Sequence, residues 1–313
     1  MQDAIKEIIS RHLGKVLINE KISNYTTYKV GGKVRAIVYP KGEQELIELV
    51  SFLKEKKIKH FTLGNGSNVL FSDQIYDGVI IKLDNFNKIN IHDNIIEVGA
   101  GYPLIKLSND AMRNSLIGLE FASGIPGTVG GAVFMNAGAY GEDMSKIVES
   151  VRVLTSDMKI VTLTNKQMKF SYRTSLLQEH LDYVCISATL KLDYGKRDEI
   201  EAIMVERRER RRATQPLTLP SAGSVFRNPE GTYAGKLIED MGLKGYSIGK
   251  AKVSEKHANF IVNMGNAKAT DIKRIIDLIK QKALTKYNIK LRVEQRLINW
   301  DGTSEKEEGK KKD

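Results

Sequence analysis

Cys185 is the only cysteine in this chain of 313 residues. An internal disulfide is therefore excluded, as is a metal site built on clustered cysteines. Cys185 lies in the apolar run Tyr183-Val-Cys-Ile-Ser-Ala188, where a buried, inert thiol is expected. Histidine is also scarce, with five scattered along the chain and no H-E-x-x-H pattern, so no metal is expected. No apolar stretch approaches the ~20 residues that a membrane-spanning helix needs. The first residues, MQDAIKEIISRHLG, carry Asp3 and Glu7 where a signal peptide needs an apolar run. They read as an amphipathic helix with Ile5, Ile8 and Ile9 on one face. A cytoplasmic protein with no membrane partner is expected. Nucleotide fingerprints are incomplete as well. Gly64-Asn-Gly66-Ser-Asn-Val69 lacks the third glycine of G-x-G-x-x-G, and Gly231-Thr-Tyr-Ala-Gly235-Lys236 is one residue short of a P-loop. Neither C-x-x-C nor G-x-S-x-G occurs.

Positive charge, by contrast, is in excess, at a formal +11. It is densest at Arg207-Arg-Glu-Arg-Arg-Arg212, which continues a helical segment from Asp198 with Ile200, Ile203 and Met204 on its apolar face. Most of these arginines read as a solvated helical face. No aromatic side chains interleave with them, as a stacking platform for bases requires, so no nucleic-acid partner is expected. An anionic small molecule is the other use for the charge. The final SEKEEGKKKD holds four acidic and four basic residues and no apolar ones, so a disordered charged tail is expected at 301–313.

The length suits two or three domains. Residues 1–88 alternate strand and helix signals. Val34 to Tyr39, His60 to Leu63 and Val79 to Leu83 read as strands, with a helix carrying Leu46, Leu49, Val50 and Leu53. Residues 89–213 are richer in strands, at Ile95 to Val98, Val148 to Leu154, Ile160 to Leu163 and Val184 to Leu192. A helix is expected from Pro103, with Leu104, Leu107 and Ala111 inward. Thr214-Gln-Pro216 and Leu219-Pro220 mark a linker into a third segment, 214–300. It closes on an amphipathic helix from Asp271, with Thr270 as its expected N-cap.

Three features carry chemistry. Two glycine-rich loops, at 64–68 and 123–141, mark backbone that turns sharply or lies against something flat or anionic, which suits a dinucleotide pyrophosphate. Arg173, in Phe170-Ser-Tyr-Arg-Thr-Ser175, has the planar fork that binds carboxylate or phosphate, but reads equally as a structural arginine. Ser224 follows a glycine just beyond the linker, and a lone serine is usually structural.

Taken together, these segments resemble the UDP-N-acetylenolpyruvoylglucosamine reductase (MurB) family over nearly the whole chain. The resemblance is carried by Tyr25-Thr-Thr-Tyr-Lys-Val-Gly-Gly32, Leu63-Gly-Asn-Gly-Ser-Asn-Val-Leu70, Gly124-Ile-Pro-Gly-Thr-Val-Gly-Gly131 and Asn136-Ala-Gly-Ala-Tyr-Gly141. It continues in Ser171-Tyr-Arg173, Ala222-Gly-Ser-Val-Phe-Arg-Asn-Pro229, His257-Ala-Asn-Phe-Ile-Val-Asn263 and Val293-Glu294. Two positions depart from the family pattern: Asn65, where a third glycine is frequent, and Val293, where proline is common. Ser224 lies only 51 positions after Arg173, which matches the shorter branch that lacks a tyrosine-bearing insertion.

The resemblance implies an α+β fold. Two FAD-binding lobes of the vanillyl-alcohol-oxidase (PCMH) type would be joined by a smaller α/β substrate domain. It implies an NADPH-dependent flavoenzyme that reduces the enolpyruvyl group of UDP-N-acetylglucosamine enolpyruvate in peptidoglycan precursor synthesis. The catalytic positions fall on Arg173, Ser224 and Glu294. FAD would lie against Gly64, Asn65, Gly66, Ser67, Asn68, Gly124, Ile125, Gly127, Thr128, Gly130, Gly131 and Gly138. Tyr172, Arg227, Asn228 and Lys236 are the candidates to bind the UDP-sugar. No histidine or cysteine lies in the glycine loops, which favours non-covalent FAD, and a monomer is expected. The alternative is another FAD oxidoreductase of the same fold, acting on a small alcohol or hydroxy acid.

Overall fold

A computed structural model describes residues 1–300; the tail expected at 301–313 lies outside the described residues. Helix α1 (Gln2–Ser10) docks through Ile5 and Ile8, whereas Ile9 is 47% exposed. The helix rests on a narrow stripe, and Ile9 falls on its solvent edge. Behind it lies a four-stranded sheet in the order Lys15–Ile18, Val34–Tyr39, Tyr76–Ile81, His60–Thr62. The first pair is antiparallel and the others are parallel. The two central strands are buried on both faces, which explains their near-continuous apolar sequence. Helix α2 (Glu43–Glu55) covers this sheet with Leu46, Leu49, Val50 and Leu53.

The next segment is built on a five-stranded antiparallel sheet. Its order is Ile160–Thr164, Val148–Leu154, Val184–Lys191, Ile95–Gly99, Ile89–His92. Helix α3 (Leu104–Arg113) buries Leu104, Leu107 and Ala111, with Pro103 at its N-cap position. Helix α4 (Val129–Met135) lies inside the glycine-dense stretch, which the sequence marked only as backbone that turns sharply or lies against something flat or anionic. The Thr128 hydroxyl accepts from Gly131 N at 3.3 Å and starts this helix. Gly130 has a packing reason: a Cβ there would come within 2.9 Å of the Ala100 Cβ. Helix α5 (Arg197–Thr214) packs on Ile200 and Met204. One apolar core runs through both segments, from Ile8 and Leu53 to Val151 and Leu190.

The third segment sets helix α6 (Ala234–Asp240) and helix α7 (Ala269–Tyr287) against a small antiparallel sheet. That sheet holds Ser247–Ile248, Ala251–Val253 and Ile261–Asn263. Thr270 does not cap α7. The helix begins two residues earlier than expected, at Ala269, and the cap comes from a distant loop, where Asp73 accepts from Ala269 N and Thr270 N, each at 2.9 Å. Sequence proximity suggested Thr270, but its hydroxyl donates to the same carboxylate at 2.7 Å. The last strand, Arg296–Ile298, leaves this segment and pairs in parallel with Val69–Phe71, just past the first glycine loop. No helix among the described residues is long and apolar enough to cross a membrane.

Candidate active site

The two glycine loops meet on one cavity of roughly 560 Å³. Gly64, Asn65, Gly66, Ser67 and Asn68 line it from the first loop, and Ile125, Gly127, Thr128, Gly130, Gly131 and Gly138 from the second. Gly124 is not part of that lining and lies against the Arg211 side chain. The loops pack directly together: a Cβ on Gly64 would stand 2.6 Å from the Thr128 hydroxyl. Gly66, at φ +63, turns the first loop beneath Tyr25 and Thr26. Among the described residues, the backbone N–H groups of Asn65, Gly66, Ser67 and Asn68 donate to no other part of the protein. Backbone donors left free in succession form a site for anionic oxygens. Lys82, buried beneath, donates to Gly64 O at 2.7 Å and holds the loop's first turn.

Arg173 and Glu294 lie on the same cavity wall. Arg173 sits in the tight turn closed by reciprocal bonds between Ser171 and Thr174, and its φ of +56 is unusual for a side chain of this size. The turn is held from several sides. Asn136 Nδ2 donates to Ser171 O at 3.0 Å, and both Gln178 Nε2 and an Arg227 Nη2 donate to Arg173 O, at 2.9 and 3.1 Å. So supported, Arg173 aims Nε at a Glu294 carboxylate oxygen at 2.9 Å and Nη2 at Gly138 O at 2.9 Å. Burial pushes the Glu294 carboxyl above the ordinary glutamate value, against the opposing pull of Arg173 and Arg227.

Ser224 reaches this wall through a short antiparallel contact. Glu294 N donates to Val225 O at 2.8 Å, and Arg227 N to Arg292 O at 2.9 Å. The serine segment is fixed from below by two buried amides. Gln295 donates to Ala222 O and Gly223 O, at 3.1 and 3.2 Å, while accepting from the Tyr28 hydroxyl at 3.2 Å. Asn259 brackets Phe226, accepting from its N–H and donating to its carbonyl. Ser224 also lines a second cavity on the C-terminal segment, with Asn228, Lys236, Lys244 and His257. Tyr172, 53% exposed, and Arg227 line neither cavity; the Arg227 guanidinium is turned toward the Arg173 turn.

Sequence reasoning missed Lys82 and Gln295, whose partners are 18 to 267 positions away. It also missed part of the arginine cluster. Arg208, Arg210 and Arg212 are exposed as expected, but Arg207 and Arg211 are half-buried, and Arg210 and Arg211 line the glycine-loop cavity beside Tyr140. The cradle of free N–H groups, the glycine floor and the flanking cations fit a dinucleotide such as FAD.

Comparison with known proteins agrees with this fit. A profile described as an FAD binding domain matches residues 34–164, and one for the UDP-N-acetylenolpyruvoylglucosamine reductase C-terminal domain matches residues 215–298. The UDP-N-acetylenolpyruvoylglucosamine reductase of Anoxybacillus flavithermus is 46% identical over 299 residues, covering 95% of this chain and 99% of that protein. The Bacillus subtilis protein of that name is 43% identical over the same shares. The crystal structure of UDP-N-acetylenolpyruvylglucosamine reductase (MurB) from Thermus caldophilus matches with a TM-score of 0.78 at 33% identity, covering 91% of this chain and 98% of that one. An FAD-binding segment, a reductase C-terminal domain and relatives matched almost end to end place this chain in the UDP-N-acetylenolpyruvoylglucosamine reductase (MurB) family.

Proposed function

We propose that this protein is an NADPH-dependent flavoenzyme reducing UDP-N-acetylglucosamine enolpyruvate to UDP-N-acetylmuramate for peptidoglycan synthesis. One observation carries the reading. The Arg173–Glu294 pair, at 2.9 Å, shares a wall with Ser224 and with the glycine cradle. Non-covalently bound FAD would supply the hydride, received from NADPH, to C3 of the enolpyruvyl ether. Negative charge then develops at C2 and spreads into the adjacent carboxylate. Arg173 would hold that carboxylate, a contribution of about 3 kcal/mol in a dry site. Glu294, held toward its protonated form, would donate to the enol-like oxygen. Ser224 would transfer its hydroxyl proton to C2, which completes addition of hydride and proton across the double bond. Asn228 and Lys236, which line the cavity that opens from Ser224, would bind the diphosphate of the UDP-sugar. Arg227 would serve by orienting the Arg173 turn, with Tyr172 at its exposed rim.

The test separates the two half-reactions. Ser224→Ala should leave flavin reduction by NADPH unchanged while reoxidation by the enolpyruvyl substrate slows by about 10²-fold or more. Equal reoxidation rates would remove Ser224 from the proton path, and purification without flavin would overturn the whole reading.

A further inference from the structure

Arg173 stands at φ +56, a left-handed conformation that a large side chain leaves unless its surroundings hold it there. Relaxation to negative φ would swing the whole side chain, because φ sets the direction in which Cβ leaves the backbone. The guanidinium is therefore only as well placed as the turn from Ser171 to Thr174 that carries it.

Helix α4 supplies the hold. A helix leaves its last carbonyls without partners of its own, and here the Phe134 carbonyl takes two from the segment after Arg173. Ser175 Oγ and Gln178 Nε2 each donate to it at 2.8 Å. The same Gln178 nitrogen donates to Arg173 O at 2.9 Å, so one amide bridges helix and turn with its two hydrogens. Buried Asn136, which ends α4 at φ +40, adds a parallel strut through its bond to Ser171 O. Its Oδ1 is held in turn by Ser145 N at 2.9 Å. Phe134 and Met135 line the glycine-loop cavity together with Arg173. Gln178 lines neither cavity, so any effect it has on a ligand passes through Arg173.

We propose that Gln178 is a positioning residue that sets Arg173 against helix α4, and so against the wall of the glycine-loop cavity, with Asn136 as a second strut. This rests on Arg173 holding the carboxylate of the enolpyruvyl substrate. Transfer to C3 requires that substrate to sit at a fixed distance from whatever occupies the glycine loops. Helix α4 gives both a common reference, since it lines the cavity with Gly130 and Gly131 and carries the acceptor to which Gln178 ties the arginine. Arg227 grips the same Arg173 carbonyl at 3.1 Å from the C-terminal segment. The turn is thus held between the two parts of the molecule that the reaction must bring into register.

A double-mutant cycle on the holoenzyme tests this, with Gln178→Leu, Arg173→Ala and the two combined. Gln178→Leu keeps the size of the side chain and removes both of its bonds. It should retain flavin and be reduced by NADPH at the wild-type rate. Its limiting rate of reoxidation by UDP-N-acetylglucosamine enolpyruvate should fall by about 10- to 100-fold. In the Arg173→Ala background the same substitution should add no further loss, because the group it places is already gone. Asn136→Gly, which keeps the left-handed backbone and deletes the amide, should give the same pattern with a smaller loss. A wild-type reoxidation rate in Gln178→Leu would overturn the proposal, as would an equal further loss on top of Arg173→Ala. Lost flavin or slowed reduction by NADPH in Gln178→Leu would also overturn it, since the residue would then support the fold at large. A wild-type rate in Arg173→Ala itself is a separate result, and would remove the function given to Arg173.

Discussion

At Glu294 two influences oppose each other, burial raising the carboxyl pKa and Arg173 and Arg227 lowering it, and burial prevails. The folded protein therefore binds a proton that the unfolded chain has already released. Stability from this position is fullest at low pH and declines as pH rises from the ordinary glutamate value toward the raised one. Urea titrations should show wild type losing ground to Glu294→Gln across that window; parallel pH profiles would mean that the carboxyl titrates normally. If the protonated form assists catalysis, reoxidation by substrate should fall on the alkaline side in wild type and lose that limb in Glu294→Gln, with flavin reduction by NADPH unaffected. At this scale the sequence was partly legible. Arg173, Ser224 and Glu294 stood out only as members of an ordered set of motifs, because an isolated serine or arginine carries no mark of its neighbours. In the cluster from Arg207 to Arg212, helical spacing sets Arg207 and Arg211 apart, since they continue the face of Ile200 and Met204 on which α5 docks.

Strongly periodic elements could be read directly, since the stripes at 46–53 and 272–283 are the faces that α2 and α7 bury. Helix α4 could not, because Gly130 and Gly131 are poor helix formers and the approach of Ala100 that requires Gly130 is a tertiary fact. The cap of α7 was illegible for the same reason, its acceptor lying 196 positions upstream. That arrangement makes a specific prediction. Asp73→Ala should destabilise the protein by about 1 kcal/mol, as loss of an N-cap does, and lower the melting temperature by roughly 2 °C. Thr270→Ala should cost clearly less. Melting curves in which Thr270→Ala is the worse variant would restore the threonine as cap.

Over the whole molecule, the formal charge of +11 meets ligands that are all anionic in the proposed reaction. Attraction of this kind speeds encounter and is screened by salt. The second-order rate constant for flavin reduction by NADPH should therefore fall steadily between low and moderate ionic strength. The first-order step at saturating NADPH should hold constant. A bimolecular rate indifferent to salt would assign the excess charge to some other purpose.

The return of the final strand to the first lobe bears on how a cell makes this protein. Asn68 closes the first glycine loop, yet its Nδ2 donates to Glu294 O at 3.3 Å and its carbonyl accepts from Arg296 N at 2.9 Å, the Glu294 contact spanning 226 positions. At ribosomal speeds of about 5–20 residues per second, roughly 10–45 s separate synthesis of the two sides. During that interval a nascent chain has its glycine loop but not the carboxylate beside it. Full assembly of the cavity wall is thus a late event in biogenesis, and a message truncated before codon 294 would yield the glycine loops without the contacts that Glu294 and Arg296 make to Asn68.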